Sequence, residues 1–306
     1  MSILITGGSG FLGSALIVQL LRKGYKVYGL YRQKAQVGFT IQKFVPLFGD
    51  ITQPDLGIEK MPKDIDAVIH CAALLSFSAR DKDRIYQTNY QGTINLLEWM
   101  KKNKISRLFH LSTAYLFDHN DYETSKKMAE GAINSYPEIK STILRPSIII
   151  GDTKVEGIPP LSGFYSGVAA IDRAKRWFEQ KSGLPPLRTQ IRIYGAPGAR
   201  LNLIPIDIVV ENIIDIVIQD KTGIFQLTHP DPPTLGSLER PISEAIGADI
   251  KFAPEFKPNL LERVIAMSLR ELFPYLKGCD LLLSDIECPP LDSVFLEKSI
   301  RAFLKG

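Results

Sequence analysis

Short apolar runs and amphipathic stretches alternate along the first half of the chain. Runs at 3–6, 26–31, 44–47, 67–70, 107–112 and 141–144 are each bounded by Gly, Asp or Pro, and predict buried strands. Between several of them, 11–23, 84–102 and 122–135 carry apolar residues at helical spacing, as in Leu12, Leu16 and Leu20. Such strand–helix alternation predicts βαβ units and an α/β fold built on a doubly wound parallel sheet.

The pattern changes after Arg145-Pro146. Residues 151–200 read as irregular and rich in Gly and Pro. A strand at 203–205, a helix at 207–219 and a strand at 224–227 restore the α/β rhythm before a helix-rich tail. The expected organisation is therefore a nucleotide-binding domain of 1–150 plus 202–228, and a smaller, mostly helical substrate-binding domain of 151–201 plus 229–306. Substrate is expected in the cleft between them. The apolar stretch 259–277 reads first as core packing, ahead of a lid or a membrane-surface helix.

Composition narrows the classes. With 306 residues and 45% hydrophobic content, the chain can bury a sizeable core, which excludes disorder and disulfide-stapled scaffolds. Lys+Arg of 37 against Asp+Glu of 33 is too even for a nucleic-acid binder. Cys71, Cys279 and Cys288 are scattered, with no CxxC, and suit a reduced compartment. His70, His110, His119 and His229 have no metal-ligand spacing, so no metal is expected. No apolar run is long enough for a membrane span, and the N-terminus lacks a basic, apolar leader. The expectation is a soluble, cytoplasmic protein.

The first predicted strand runs into Thr6-Gly7-Gly8-Ser9-Gly10-Phe11-Leu12-Gly13 at the opening of a helix. Gly7 suits a tight turn, Gly10 lets backbone approach a pyrophosphate, and Gly13 lets helix and strand pack closely. The helix N-terminus then faces the phosphates, so this is a Rossmann-type dinucleotide site. An acidic residue after the second strand would bind the ribose hydroxyls of NAD. Leu30-Tyr31-Arg32-Gln33-Lys34 stands there instead. Arg32, helped by Lys34, favours the extra phosphate of NADP(H).

Tyr122 and Lys126 lie four apart at a helix start, hence on one face. A nearby ammonium favours phenolate and is expected to lower the tyrosine pKa. Tyr136 and Lys140 repeat the spacing, but Pro137 breaks any helix between them, so that pair reads as structural. Thr113 follows the fifth strand, at the sheet edge that faces ligand.

Together, Gly7, Gly10, Gly13, Asp50, Asn89, Thr113, Tyr122 and Lys126 resemble the extended short-chain dehydrogenase/reductases. The resemblance covers residues 2 to 230. It implies that Thr113 positions a carbonyl, Tyr122 exchanges the proton, and Lys126 holds the nicotinamide ribose. It also implies that Asn89 supports a relay water and Asp50 contacts adenine. Ile51, Ala72 and Ala73 join the cofactor seat, with Pro146, Ser147 and Ile148 beside the nicotinamide. The stretches 49–58, 112–115 and 146–152 are similar to the fatty acyl-CoA reductase and thioester-reductase branch, which reduces acyl thioesters with NADPH. That branch implies a small-molecule substrate carried on coenzyme A or an acyl-carrier protein, and a homodimer is compatible with it. Only nine positions separate Thr113 from Tyr122, a shorter loop than relatives carry.

Rival readings share the fold. A nucleotide-sugar epimerase would hold NAD, and Arg188, Arg192 and Arg200 could grip its diphosphate, or the phosphates of coenzyme A. A dehydratase would carry an Asp-Glu pair where Ala114-Tyr115 follow Thr113. Sterol or ketone reductases use the same triad. A non-catalytic NADP-binding subunit is the reading from a different class, and retention of Thr, Tyr and Lys weighs against it.

Overall fold

A computed structural model of the chain describes residues 1–33, 42–60, 62–154, 163–182, 190–278 and 283–305. Lys34, Arg188 and Cys279 lie outside the described residues.

The strands are β1 (Ser2–Thr6), β2 (Lys26–Tyr31), β3 (Phe44–Phe48), β4 (Ala67–His70), β5 (Arg107–Leu111), β6 (Lys140–Pro146), β7 (Ile148–Ile150), β8 (Gln190–Tyr194), β9 (Leu203–Pro205), β10 (Gly223–Leu227) and β11 (Asp249–Ala253). Seven form one parallel sheet in the order β10-β6-β5-β4-β1-β2-β3. Ile3, Leu4, Ile5 and Thr6 are all fully buried, the unbroken run a central parallel strand demands. Register aligns Thr6 with His70, and His70 with His110.

The helices are α1 (Phe11–Arg22), α2 (Lys82–Ile85), α3 (Gly92–Lys102), α4 (Asp121–Ile133), α5 (Gly163–Ser182), α6 (Ile206–Ile218), α7 (Leu235–Ile246), α8 (Leu260–Ser268), α9 (Phe273–Leu276) and α10 (Ser293–Lys305). Leu96, Leu97 and Met100 of α3 pack with Leu4, Val68, Leu108 and Ile133 in one core cluster. The sequence predicts a continuous helix over 84–102, whereas Tyr86–Gln91 is wound as a π-turn. That widened turn contains Asn89, whose side chain bonds outside the helix (below).

At the far end of the sheet, Arg107 is almost fully buried. Its guanidinium donates to Lys140 O (2.9 Å), Thr142 Oγ1 (2.9 Å) and Lys221 O (2.6 Å), and pairs with Asp220. One planar fork thus ties β5 and β6 to the turn that enters β10.

Two compact units emerge: 1–146 with 209–227, and 147–208 with 228–306. The sequence expectation placed its boundaries at 150, 202 and 228. Residues 148–150 and 203–205 group with the second unit because β7 pairs with β9, in a sheet of their own.

The second unit is less purely helical than expected. β8 and β11 also form a parallel pair, and α5 fills 20 residues of the stretch read as irregular. On α5, Phe164, Tyr165, Val168, Ile171 and Ala174 are buried along one face. In the tail, Leu261, Ile265 and Leu269 are core residues, while Leu260 and Met267 are exposed. Asn259 and Glu262 form a reciprocal capping box that starts α8. No helix among the described residues is long and apolar enough to cross a membrane.

Replacing Leu96 by Ala should cost about 2–5 kcal/mol, because it leaves a cavity beneath the sheet. Urea denaturation measures it; a loss below about 0.5 kcal/mol, the usual surface value, would contradict the packing described.

Candidate active site

The chain leaves β1 for β2 on one side, and β4 lies on the other, so the strand order reverses at β1. In doubly wound sheets the ligand crevice opens at the carboxyl ends of such strands. A cleft of about 720 Å³ lies there, lined by Gly7, Gly10, Arg32, Asp50, Ile51, Ala72 and Ala73. Ser9, Thr52, Cys71, Leu74, Arg84, Gln87 and Thr88 line it as well. Of these, Arg84 and Gln87 carry no sequence signal, because single polar residues on a predicted helix have no spacing to mark them.

The glycine loop fits a dinucleotide. Gly7 has φ +69°, and a Cβ there would lie 2.7 Å from Ala72 N. A Cβ on Gly13 would lie 2.2 Å from Gly7 O. Gly10 N donates to Gly7 O at 2.9 Å, closing the turn. Gly10 is also the N-cap of α1, without a side-chain cap and with no acidic residue in the first turn. The positive end of the helix, begun by Phe11 and Leu12, is thus left for an anion.

Asp50 is oriented by Thr52, whose N–H and Oγ1 both donate to its Oδ1 at 2.9 Å. Arg32 is exposed at the end of β2 and has no carboxylate partner among the described residues. Cys71 is half-buried on the cleft wall, and desolvation pushes its thiol up to about 12.

Beyond β5, Thr113 is buried and its Oγ1 accepts from Tyr115 N (3.2 Å), which leaves the O–H to donate. The short loop to α4 is laced to the helix it precedes. Asn120 caps α4 by accepting from Glu123 N (3.0 Å), and the buried Glu123 carboxylate accepts from Phe117 N (3.0 Å) and His119 N (3.1 Å). Tyr122 stands in that first turn, edge-to-face with Phe77 at 6.2 Å.

One turn on, Lys126 is buried and its Nζ donates to Leu111 O. Burial pushes Lys126 down to about 8. It also pushes Tyr122 up to about 12, with Glu123 adding in the same direction. The expectation that Lys126 lowers the Tyr122 pKa is therefore corrected: loss of solvent and the Glu123 carboxylate raise it. Tyr122 keeps its proton at neutral pH.

Asn89 is fully buried and holds two segments together. Its Oδ1 accepts from Leu74 N (2.7 Å), and its Nδ2 donates to Leu74 O (3.1 Å) and Ser125 Oγ (3.0 Å). Pro146 closes β6 and accepts from Ala114 N (2.9 Å). In the second unit, Ile148 N donates to Asn202 O (3.1 Å), and Ser147 Oγ is buried without a partner among the described residues.

Tyr136, the decoy, donates to Glu98 Oε1 at 2.5 Å in the turn after α4. Arg192 forks onto Glu262 (2.8 and 3.0 Å) and stacks over Phe256. Arg200 is tied to Asp231 and Pro232 O (2.6 Å each). Among the described residues no His, Cys, Asp and Glu group could hold a metal ion.

A glycine cradle at the switch point of a doubly wound sheet defines an NAD(P)-dependent enzyme. The chain belongs to the NAD dependent epimerase/dehydratase family, whose profile matches residues 3–163. It is an extended short-chain dehydrogenase/reductase, similar to the fatty acyl-CoA reductase and thioester-reductase branch. The Male sterility protein profile matches residues 117–213.

Human sterol-4-alpha-carboxylate 3-dehydrogenase, decarboxylating, is 29% identical over 180 residues, 51% of this chain and 47% of that protein. Fatty acyl-CoA reductase 1 of Xenopus laevis is 28% identical over 190 residues, 52% of this chain and 36% of that protein. The chain spans less than half the length of these two relatives. A thiolation-reductase di-domain from an archaeal non-ribosomal peptide synthetase shares the fold, with TM-score 0.77 and 17% identity, covering 99% of this chain and 75% of that one.

Two glycine substitutions separate the cradle from ordinary helix. Gly13→Ala should abolish measurable dinucleotide binding, since its Cβ meets backbone at 2.2 Å. Gly131→Ala, in exposed helix with nothing within 4 Å, should leave binding intact and add about 0.5–1 kcal/mol of stability. Calorimetric titration and urea melts check both; tight binding by Gly13→Ala would refute the cradle.

Proposed function

We propose that the chain is an NADPH-dependent reductase of a carbonyl substrate, an acyl thioester or an aldehyde. The observation that carries this reading is the half-buried Tyr122 and the buried Lys126 in the first turns of α4, with the buried Thr113 just beyond β5. When bound, the dinucleotide supplies the hydride. Thr113 and Tyr122 hold the substrate oxygen through their hydroxyls. Tyr122, neutral at physiological pH, gives its proton to the alkoxide formed from an aldehyde. For a thioester, the tetrahedral adduct collapses to the aldehyde and expels the thiolate, which takes up a proton. Lys126 holds the nicotinamide ribose and brings the positive charge of the site.

NADP(H) over NAD(H) rests on Arg32, a planar donor fork on the cleft wall with no carboxylate partner among the described residues. Substrate carriage on coenzyme A or a carrier protein, a homodimer and a cytoplasmic setting belong to the same proposal. Arg192 and Arg200 are engaged by Glu262 and Asp231, which weakens them as grips for a nucleotide-sugar diphosphate and for the phosphates of coenzyme A alike.

NADPH should bind well ahead of NADH, and Arg32→Ala should cost about ten- to a hundredfold in NADPH affinity while sparing NADH. Calorimetry with both cofactors decides, and equal affinities in the parent protein would refute the Arg32 argument.

Tyr122→Phe should lower kcat by about a hundredfold or more with NADPH affinity kept, while Tyr136→Phe stays near the parent rate. These assays use a panel of acyl-CoAs, aldehydes, ketones and nucleotide sugars, followed by NADPH absorbance and product mass. Turnover of a nucleotide sugar alone, without net NADPH consumption, would replace this reading by the epimerase.

A further inference from the structure

Beneath the carboxyl edge of the sheet, fully buried His70 makes two side-chain contacts whose direction the chemistry fixes. Its Nε2 lies 3.1 Å from Thr93 Oγ1, and its Nδ1 lies 2.7 Å from Thr6 Oγ1. Thr93 Oγ1 donates its one proton to Asn89 O at 2.7 Å, because a carbonyl can only accept. His70 must therefore donate to Thr93 from Nε2. In the neutral ring, Nδ1 is then an acceptor, and Thr6 Oγ1 must donate to it. Thr6 Oγ1 in turn accepts from Ala72 N at 3.2 Å. The order from Ala72 N–H through Thr6 to His70, and from His70 through Thr93 to the Asn89 carbonyl, has no other consistent arrangement of protons. Desolvation and the nearby Lys126 charge push His70 down to about 3, so the ring stays neutral and the arrangement holds across working pH.

Both ends of this chain lie at functional positions. Thr6 is the last residue of β1, directly before Gly7, and the Ala72 backbone is what a Cβ on Gly7 would strike. At the other end, Asn89 donates to Ser125 Oγ (3.0 Å), and Ser125 Oγ donates to the Tyr122 carbonyl (2.7 Å). The ring of His110 lies 5.2 Å from that of His70 and makes no hydrogen bond among the described residues, so it packs against His70 without competing for its nitrogens.

We propose that His70 is a positioning residue that couples occupancy of the dinucleotide cleft to the placement of Tyr122. This rests on the reading of Tyr122 given above for its kinetic arm, but not for its binding arm. Order imposed on the Gly7 turn by the phosphates is passed through Thr6 and His70 to the Asn89 turn, and from there to the first turn of α4. Neither His70 nor Thr93 lines the cleft, so any effect of changing them on cofactor affinity is transmitted.

The binding arm measures the NADPH dissociation constant by calorimetry for Thr93→Val, His70→Leu and the double variant. Thr93→Val should weaken NADPH about fivefold in the parent background and have no effect once His70 is Leu. No effect in the parent, or equal effects in both backgrounds, overturns the coupling whether or not any carbonyl is reduced.

The kinetic arm splits the two nitrogens. Asn at position 70 offers an acceptor near Nδ1, and Gln offers a donor near Nε2. His70→Gln, keeping the Thr93 link, should retain kcat within about threefold and the parent NADPH affinity, while His70→Asn, which loses that link, should lose about tenfold in kcat and weaken NADPH about fivefold, as Thr93→Val does. Parallel losses in both variants that follow their melting temperatures would make His70 merely structural and overturn the proposal. Absence of carbonyl turnover by the parent protein would defeat the reductase reading alone, since the binding arm stands without it.

Discussion

The dinucleotide site depends on a backbone approach that a single methyl group would prevent. Where β1 ends, the Gly7 turn comes so close to Ala72 that a Cβ would sit 2.7 Å from its amide nitrogen, and Gly13 is pressed onto the Gly7 carbonyl at a distance closed to any side chain. Because the turn is this tight, α1 begins immediately after it, and its uncapped N-terminus points out of the carboxyl edge of the sheet. Because β4 runs beside β1 in register, the same approach fixes Ala72 and Ala73 as one wall of the cleft. Thr6 and His70, paired across that register, carry the constraint inward to the helices.

The parallel sheet was legible because its strands are buried on both faces. Such strands read as unbroken apolar runs, and the helices between them must be amphipathic to cover them. All six strands expected in the first half occur, with ends moved by at most two residues, from 44–47 to Phe44–Phe48 and from 141–144 to Lys140–Pro146. The second unit was harder to read. Asp249–Ala253 alternates as a half-buried strand should, but its partner Gln190–Tyr194 lies 59 residues away, and a two-residue face cannot be told from a loop by pattern alone. α5 was hidden by Gly163, Gly167 and a run of charged residues, although Tyr165, Val168, Ala169 and Asp172 are buried at helical spacing.

Within the site, spacing conveys which side chains share a face, and no more. It places Tyr122 and Lys126 together but fits Tyr136 and Lys140 equally, a pair that Pro137 rejects, and it carries no information on what surrounds them. The sign of the Tyr122 shift depends on burial and on Glu123, whose carboxylate is drawn under the helix by the amides of Phe117 and His119. The arginines show the same limit. Arg192 and Arg200 read as anion grips until their carboxylate partners, 70 and 31 positions away, are brought to them by the fold. Asn89 reads as a water-holding residue by resemblance, while its amide spans Leu74 and Ser125. Long-range partners decide these roles, and no local pattern announces them.

Burial also explains which groups carry charge where β4 and β5 end. Four titratable groups cluster where β4 and β5 end: His70, Cys71, His110 and Lys126. Desolvation lowers both imidazoles and the ammonium and raises the thiol, disfavouring the charged form in every case. At neutral pH the histidines and the cysteine therefore stay uncharged. Lys126, pushed only to about 8, remains the cation, with its ammonium on the Leu111 carbonyl. Its positive field further lowers the two histidines, so the first charge excludes others. Glu130, the carboxylate that would oppose it, is forked by Arg145 at 2.9 and 2.5 Å and so is largely neutralised. A low-dielectric pocket in which the two imidazoles and the thiol around Lys126 are neutral keeps that cation's field from being cancelled by them.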